Sequence, residues 1–469
     1  MKPCNQFDLI VIGSGPAGQK AAIQGSKAGR KILIVERERD PGGECVQHGT
    51  IPSKTLRETA ASLTGLRKRT GGCLDLELGT DTKLRALMGR VEEVLEAHCT
   101  FIGEQLERND VVLLRGRASF LDKNTVQVRS LGGVDNCYTA KTIVIAAGSR
   151  PRNPKGLGVD HEHIFDSDSI LSLAYLPASL LVIGAGVIAC EFATVFQALG
   201  VSVTIIDKGE RPMPFLDPEL SERLVSDFSD AGGVYLPGVE PESIEVLEGG
   251  GTRTRLSDGQ ELLCDKAFVA LGRTASLAGL GLEELGVELT NRGHIKVDKN
   301  LQTTVPNIYA VGDIIGPPAL AATAMEQGRR AVQHALGLEI GVGHQFMPVG
   351  IYTIPEIAGV GISSAEADVK TIVGRANFSE VARGHIIGAT VGVLKLVADA
   401  EGRYILGAHV IGEGATELVH LGQIAMLGRL DVDTLIDNIF NFPTMAEAYR
   451  IAAFDIVQQR NALRSRDAA

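Results

Sequence analysis

One pattern occurs twice in this 469-residue chain: a strand, a glycine-rich turn, a helix and a second strand that ends in an acidic residue. In the first copy, the apolar run 8–12 leads into a GSGPAG turn, a helix of small residues and a strand that ends at Glu36. Gly13 permits the tight turn, Gly15 lets the backbone approach a pyrophosphate, and Gly18 lets helix and strand pack closely. The pattern therefore predicts a βαβ unit with the pyrophosphate on the helix N-terminus and ribose hydroxyls on Glu36.

The second copy follows about 170 residues later. The apolar run 179–183 leads into a GAGVIA turn that contains Gly184 and Gly186, and the strand 201–206 ends at Asp207. Alanine replaces the third glycine, which this fingerprint allows. Because each unit binds one dinucleotide, the chain is predicted to bind two, most economically an FAD and a nicotinamide dinucleotide.

Composition excludes several other classes of function. The net charge of −11 argues against a nucleic-acid partner or an anionic membrane surface. No apolar run approaches the roughly 20 residues of a membrane span, and the polar N-terminus does not resemble a signal peptide. The seven cysteines are scattered without a C-x-x-C pair, which argues against a metal site and against a disulfide scaffold. We therefore expect a cytoplasmic protein in a reducing compartment.

Two further segments carry a family resemblance. Residues 142–148 read TIVIAAG and residues 310–313 read AVGD. Both resemble elements of the two-dinucleotide-binding flavoproteins of the glutathione reductase structural class, and the pattern extends over essentially the whole chain. The resemblance implies that the first unit holds FAD and that Asp313 bonds the ribityl chain.

The same resemblance implies an α/β fold with two Rossmann-like domains and a C-terminal α+β dimerisation domain. Beyond residue 350 we predict antiparallel strands at 351–356, 392–397 and 405–412, with helices at about 414–428 and 444–461. A homodimer or higher homo-oligomer would form through this last domain. The predicted boundaries are 1–150 and 275–345 for the FAD-binding domain, 151–274 for the NAD(P)-binding domain and 346–469 for the interface domain.

Residues 42–54, GGECVQHGTIPSK, resemble the redox-active helix of the disulfide reductases in this class, where two cysteines stand five positions apart. Cys45 matches the first cysteine, but Thr50 occupies the place of the second, and a hydroxyl cannot take part in thiol–disulfide exchange. Near the C-terminus, Phe442 stands where the class has its acid–base histidine, and phenylalanine cannot transfer a proton. Thiol chemistry is therefore not expected, and Cys45 is either an inert buried thiol or a redox-sensing one.

Lys54 and Glu191 match a pair that lies beside flavin N5 in this class, where a cation supports hydride transfer and a carboxylate aims it. We therefore take Lys54 and Glu191 as catalytic candidates, together with Thr50 and Cys45 on the same segment. The candidate cofactor contacts are Gly13, Gly15, Pro16, Ala17, Gly18, Glu36, Gly43, Cys45, Lys54, Gly116, Ala118, Ala147, Gly148, Gly184, Gly186, Val187, Ile188, Glu191, Asp207, Lys208, Gly272, Arg273, Asp313 and Ala321.

Within the class, the chain most resembles the soluble (Si-specific) pyridine nucleotide transhydrogenase family, in residues 49–54, 165–171, 350–357 and 443–450. The resemblance implies the reaction NADPH + NAD⁺ ⇌ NADP⁺ + NADH through FAD. Asp207 departs from this expectation, because a carboxylate there favours NAD(H) over NADP(H).

Lys208 and Arg211, in the same loop, could offset the repulsion between Asp207 and a 2′-phosphate. Two alternatives therefore stay open. One is an NADH-preferring FAD dehydrogenase that passes electrons to a quinone, a dye or oxygen. The other is an FAD-bearing sensor that uses Cys45 as a switch.

Overall fold

The computed structural model of this chain describes residues 4–69, 80–341, 343, 346–366 and 370–467. A seven-stranded sheet carries the first glycine turn. Residues 9–12 of β1 and 32–35 of β2 are buried apolar runs, as expected of parallel strands that are covered on both faces. Their order is β3-β2-β1-β6 in parallel, and β5 and β4 continue beyond β6 in antiparallel fashion. The elements are β1 (Asn5–Ile12), α1 (Pro16–Lys27), β2 (Ile32–Glu36), α2 (Gly43–Gln47), α3 (Thr50–Arg69), α4 (Thr80–Glu107), β3 (Val112–Arg115), β4 (Arg117–Asp122), β5 (Thr125–Arg129) and β6 (Asp135–Ile145).

The chain then builds a second parallel sheet and returns to the first. The second sheet has the order β11-β10-β9-β15-β8 and carries the second glycine turn, with a small antiparallel sheet β12-β13-β14 beside it. The outgoing and returning segments pair with each other as β7 and β16, and β17 then joins β6. The elements are β7 (Ser149–Pro151), β8 (Ile164–Phe165), β9 (Ser179–Ile183), α5 (Val187–Ala198), β10 (Ser202–Asp207), α6 (Pro218–Asp230), β11 (Val234–Pro237), β12 (Pro241–Val246), β13 (Thr252–Leu256), β14 (Glu261–Cys264), β15 (Lys266–Val269), β16 (Arg273–Ala275), β17 (Ile308–Ala310) and α7 (Ala321–Ala335).

A third, antiparallel sheet of order β18-β19-β22-β21-β20 forms the C-terminal part. The predicted α/β fold is thereby confirmed, while the domain limits at 150, 274 and 345 stay predictions. The prediction of one strand over 351–356 is wrong, because the strand ends at Ile351. The N–H groups of Tyr352 and Ile354 donate instead to side chains of helix α5 (Val187–Ala198). The elements are β18 (Val349–Ile351), β19 (Ile357–Gly361), β20 (Ile372–Asn377), α8 (Ala382–Ile387), β21 (Val393–Ala398), β22 (Ile405–Ile411), α9 (Ala415–Leu427), α10 (Val432–Asp437) and α11 (Glu447–Asp467).

A buried ion pair ties the second sheet to the third. Asp217 caps α6 by accepting a hydrogen bond from the Glu219 N–H group, and Lys395 on β21 donates to the same carboxylate at 2.9 Å. The side chains of Lys395 and Asp217 are 3% and 0% exposed. Lys395 also lies 2.9 Å from the Glu219 carboxylate. Because the Asp217 charge does not reach water, it depends on Lys395, and the two sheets are held together at this point.

One cysteine pair differs from what a reducing compartment would lead one to expect. Cys4 and Cys137 form a disulfide across the start of β1 and β6, where Asn5 lies opposite Tyr138. The two cysteines are 133 residues apart in sequence, so only the strand pairing brings them together.

Among the residues described, no helix is both long enough and apolar enough to span a membrane.

Candidate active site

The first glycine turn, between β1 and α1, is shaped by close backbone contacts. Gly13 has φ = 105°, and a Cβ there would overlap the carbonyl oxygen of Ala146. A Cβ on Gly18 would overlap the carbonyl oxygen of Gly13, so α1 packs directly on the turn. Around Gly15, by contrast, the nearest atoms to a Cβ lie 4.0 Å away. Because α1 begins at Pro16 without a side-chain cap, its first N–H groups remain available to an anion.

Glu36 closes this turn from the end of β2. Its Oε2 accepts hydrogen bonds from the N–H group and the hydroxyl of Ser14 at 2.8 and 2.6 Å, and its Oε1 accepts from the Glu38 N–H group at 2.9 Å. Gly116 donates its N–H group to the Glu36 carbonyl oxygen at 2.7 Å. The buried carboxylate is thus held beside the turn, where the fingerprint predicts a ribose-binding acid.

The second glycine turn, between β9 and α5, repeats this geometry. Gly184 has φ = 104°, and a Cβ there would lie 2.7 Å from the carbonyl oxygen of Ala270. A Cβ on Gly186 would meet no atom within 4 Å. Helix α5 begins at Val187, followed by Ile188, and again has no side-chain cap. Two uncapped helix N-termini behind open glycines are therefore present, as two dinucleotides require.

Asp207 stands at the end of β10, in the position that Glu36 has in the first unit. Its Oδ2 accepts from the Ala185 N–H group at 2.8 Å and its Oδ1 from the Gly209 N–H group at 2.7 Å. Arg211 donates to two carbonyl oxygens further along the loop. Lys208 is exposed and has no hydrogen-bond or ion-pair partner among the described residues. Neither cation of the loop therefore neutralises Asp207 directly.

Lys54 on α3 and Glu191 on α5, the helix that follows the second glycine turn, form an ion pair. The Lys54 Nζ lies 2.5 Å from Oε2 of Glu191, whose side chain is 7% exposed. The other oxygen, Oε1, accepts the N–H group of Tyr352 at 2.8 Å. The tertiary structure thus brings together two residues that are 137 positions apart, as the family resemblance implied.

Cys45 is a free thiol on α2, at the start of the segment that continues into α3. Burial raises the pKa of the Cys45 thiol, and hydrogen bonding with the Thr50 side chain opposes that shift only in part. The thiol is therefore protonated at neutral pH, which makes it a poor nucleophile. The side chains of Cys45 and Thr50 interact with each other.

A polar network joins Asp313 to the start of α2, and most of it was missed from the sequence. The Ser149 hydroxyl donates to Asp313 at 2.7 Å, and Arg273 Nε donates to the same hydroxyl at 2.8 Å. The Arg273 guanidinium also lies 2.8 Å from Glu44 and 3.5 Å from Asp168. Burial, reinforced by Asp168, raises the pKa of the Glu44 carboxyl to about 8. Nothing near Glu44 in the sequence indicates its partners, because Asp168 follows β8 and Arg273 begins β16, both far from Glu44 along the chain.

The other predicted contacts lie around these features. Gly43 packs on the first turn, where a Cβ on it would lie 2.8 Å from the Gly15 Cα atom. Among the described residues, no group of His, Cys, Asp and Glu side chains could hold a metal ion. The remaining predicted contacts are placed as follows. Ala17 lies next to Gly312, beside Asp313, and Ala321 begins α7. Gly148 and Gly272 flank the β7–β16 pair, Ala118 lies opposite Val128 of β5, and Ala147 packs on the core of the first sheet.

Known proteins share this arrangement along nearly the whole chain. The family described as pyridine nucleotide-disulphide oxidoreductase matches residues 7–328, and the dimerisation domain of the same family matches residues 347–453. The chain is 41% identical over 462 residues to a soluble pyridine nucleotide transhydrogenase from Mycobacterium bovis, with 98% of each chain covered. It is 40% identical to a protein of the same name from Vibrio vulnificus, with 97% of this chain and 99% of the relative covered.

Solved structures agree with the fold. LpdA from Mycobacterium tuberculosis superposes with a TM-score of 0.88 at 26% identity, covering 95% of this chain and 99% of its own. The HOCl-induced flavoprotein disulfide reductase RclA from Escherichia coli superposes with a TM-score of 0.86 at 25% identity, covering 96% and 99%.

Proposed function

Since this chain belongs to the pyridine nucleotide-disulphide oxidoreductase family, and within it to the soluble pyridine nucleotide transhydrogenases, we propose that it catalyses NADPH + NAD⁺ ⇌ NADP⁺ + NADH through bound FAD. One hydride and its electron pair pass from the reduced nicotinamide of one dinucleotide to the oxidised nicotinamide of the other. The two sides carry nearly equal reducing potential, so the pool ratios set the direction.

The residues of the first unit fit FAD. The open backbone around Gly15 and the uncapped start of α1 suit a pyrophosphate, and the carboxylate of Glu36 suits ribose hydroxyls. Asp313 and Ser149 offer hydrogen-bonding oxygens to a ribityl chain. When bound, FAD supplies the two-electron carrier that takes a hydride from one nicotinamide and returns it to the other.

The observation that carries the proposal is the Lys54–Glu191 pair. It is combined with Thr50 and Phe442 at the two positions where thiol chemistry needs a cysteine and a histidine. The ammonium is held at 2.5 Å by a buried carboxylate on the helix that follows the second glycine turn. Thr50 and Phe442 supply neither a second thiol nor an acid–base group. Hydride exchange between nicotinamides needs neither of these groups, whereas reduction of a disulfide substrate needs both.

We assign Lys54 the role of a fixed positive charge at the place where hydride arrives. Glu191 keeps that charge in position, because one of its oxygens binds the ammonium and the other is held by a backbone N–H group. A cation held in this way stabilises negative charge that develops during transfer. Cys45, whose thiol stays protonated, is assigned no part in the reaction.

The test is the transfer of hydride from NADPH to the thio analogue of NAD⁺ in the absence of oxygen. Formation of the reduced thio analogue at a catalytic rate is expected, and it should cease in protein stripped of FAD and return when FAD is restored. Reduction of the flavin by a nicotinamide with no transfer to the second nucleotide would contradict the proposal.

One observation favours a second candidate, an NADH-preferring dehydrogenase that passes electrons to a quinone or oxygen. Asp207 presents a carboxylate that neither Lys208 nor Arg211 neutralises. Such a carboxylate bonds the ribose diol of NAD(H) and repels the 2′-phosphate of NADP(H). Turnover of NADH with a quinone or ferricyanide, combined with failure of NADPH to reduce the flavin, would favour this candidate.

We further propose that two copies of the chain assemble through the C-terminal part. The match to a dimerisation domain over residues 347–453 supports this. So do large apolar side chains that are exposed in one copy, among them Ile424 at 62%, Ile439 at 89% and Phe442 at 68%. Light scattering after size-exclusion chromatography should give a mass near twice that of one chain.

The cytoplasmic location stays a prediction.

A further inference from the structure

A short segment after β18 reaches between the helices that carry Lys54 and Glu191. The N–H group of Tyr352 donates to Oε1 of Glu191 at 2.8 Å, and the N–H group of Ile354 donates to the Thr194 hydroxyl at 3.1 Å. These bonds replace the strand hydrogen bonds that the apolar pattern of residues 351–356 predicts. The C-terminal part of the chain therefore contacts the candidate active site directly, through its backbone.

The side chain of Tyr352 contacts the other member of the pair. Its ring centroid lies 5.1 Å from Nζ of Lys54, within the range of a cation–π interaction. The Tyr352 phenol interacts with the side chain of Thr416, whose own hydroxyl donates to Glu356 at 2.8 Å. The residue is thus fixed by its backbone at Glu191, and its ring lies between Lys54 and the neighbourhood of Thr416.

We propose that Tyr352 is a positioning residue that holds the Lys54 ammonium against Glu191 for hydride transfer. The inference rests on the proposed function insofar as that function assigns the Lys54–Glu191 pair to the hydride step. It adds a residue from the segment after β18, in the C-terminal part, to a site that is otherwise built from α3 and α5.

The physical reason is the freedom of a lysine side chain. Its ammonium is a compact, strongly hydrated charge on a flexible four-carbon stem. The Lys54 side chain is 23% exposed, so the ammonium has access to solvent. The ammonium contacts Glu191 at 2.5 Å and, more weakly, the Ser53 hydroxyl at 3.4 Å, and the ring of Tyr352 provides a further surface. A cation–π contact of ordinary strength corresponds to a change of about 2- to 30-fold in the occupancy of the held position.

The experiment compares Tyr352→Leu with Tyr352→Phe in the FAD-bound protein. Both variants keep the backbone N–H group to Glu191, but only phenylalanine keeps an aromatic ring beside Lys54. Tyr352→Leu should slow single-turnover reduction of the flavin by NADH about tenfold and lower the flavin midpoint potential. Tyr352→Phe should stay within about threefold of the wild type in rate.

A matched control exists in the second sheet. The Lys266 ammonium lies 5.4 Å from the ring of Tyr175, away from the Lys54–Glu191 pair. Tyr175→Leu removes the same kind of contact and should leave both the flavin reduction rate and the midpoint potential unchanged. Equal rates and potentials in Tyr352→Leu and Tyr352→Phe would overturn the proposal.

A second readout does not need bound FAD. In apoprotein treated briefly with an amine-acylating reagent, mass spectrometry should show faster labelling of Lys54 in Tyr352→Leu than in the wild type. Tyr175→Leu should instead increase the labelling of Lys266 alone. Unchanged labelling of Lys54 in Tyr352→Leu would overturn the proposal even if that variant binds FAD poorly.

The two proposals fail in different ways. If NADH reduces the flavin but no hydride reaches a second nucleotide, the transhydrogenase function is wrong, and the Tyr352 comparison can still be made on the reduction step. If transfer proceeds and the leucine and phenylalanine variants behave alike, the function stands and the role of Tyr352 is wrong.

Discussion

Replacing Asp207 by asparagine should shift the preference of this protein from NADH towards NADPH. The carboxylate now holds two backbone N–H groups, those of Ala185 and Gly209, with one oxygen each. Asparagine keeps one of these acceptors and removes the charge, so the glycine turn is disturbed less than by alanine. The lost hydrogen bond affects both nucleotides equally and cancels in their ratio.

The magnitude follows from the charge that is removed. Two unit charges about 5 Å apart interact by roughly 1 kcal/mol in water and by roughly 3 kcal/mol at an effective dielectric constant of about 20. A phosphate monoester carries about −1.5 to −2 charges, and Asp207 is half-buried in a loop with exposed neighbours. Relief of about 1.5 to 3 kcal/mol is therefore expected, which corresponds to roughly a 10- to 100-fold change in the NADPH/NADH ratio.

The assay is anaerobic stopped-flow reduction of the flavin by NADPH and by NADH, with each nucleotide tested alone. The ratio of the two second-order constants is compared between the wild type, Asp207→Asn and Glu210→Gln. Glu210 is an exposed acid in the same loop, so its removal changes net charge equally without touching the end of β10. A ratio within twofold of the wild type in Asp207→Asn, or an equal shift in Glu210→Gln, would refute the assignment.

Three further perturbations test the site and the fold. Lys54→Met should slow flavin reduction by about 10- to 1000-fold with FAD retained, because a preorganised charge at the reacting position is lost; an unchanged single-turnover rate would exclude that role. Glu44 has a folded-state pKa of about 8 against an ordinary 4.5, so its contribution to stability is complete below pH 4.5 and is lost as pH rises through 8. Glu44→Gln should therefore raise Tm relative to the wild type at pH 9 but not at pH 5, and a difference independent of pH would contradict the assignment. Lys395→Met should lower the free energy of unfolding in urea by about 3–5 kcal/mol, because it leaves the buried Asp217 charge unpaired; adding Asp217→Asn should recover part of that loss, and a cost below 1 kcal/mol would show that the pair is dispensable.

Features encoded within about 30 consecutive residues were predictable from the sequence. The two βαβ units, with Glu36 and Asp207 at the ends of their second strands, are where the glycine spacing puts them. The replacement of a second thiol by Thr50 and of a histidine base by Phe442 is implied by the family resemblance and stays a prediction. Such features are local, because strand alternation, turn geometry and helix capping each depend on near neighbours.

The contacts that complete the candidate site could not be predicted in this way. Tyr352 lies in an apolar run that reads as a strand, and only the approach of α5 gives its N–H group to Glu191 instead of to a neighbouring strand. Glu44 looks like an ordinary surface acid until Arg273 and Asp168 are packed against it.

The sequence by itself thus determined the class of fold and the two nucleotide turns. Tertiary structure alone decided which side chains surround Lys54, which cysteines form a disulfide and which carboxyl has a raised pKa. The physical reason is that burial and ion pairing depend on atoms brought together from distant parts of the chain. A backbone turn, in contrast, is specified by the residues within it.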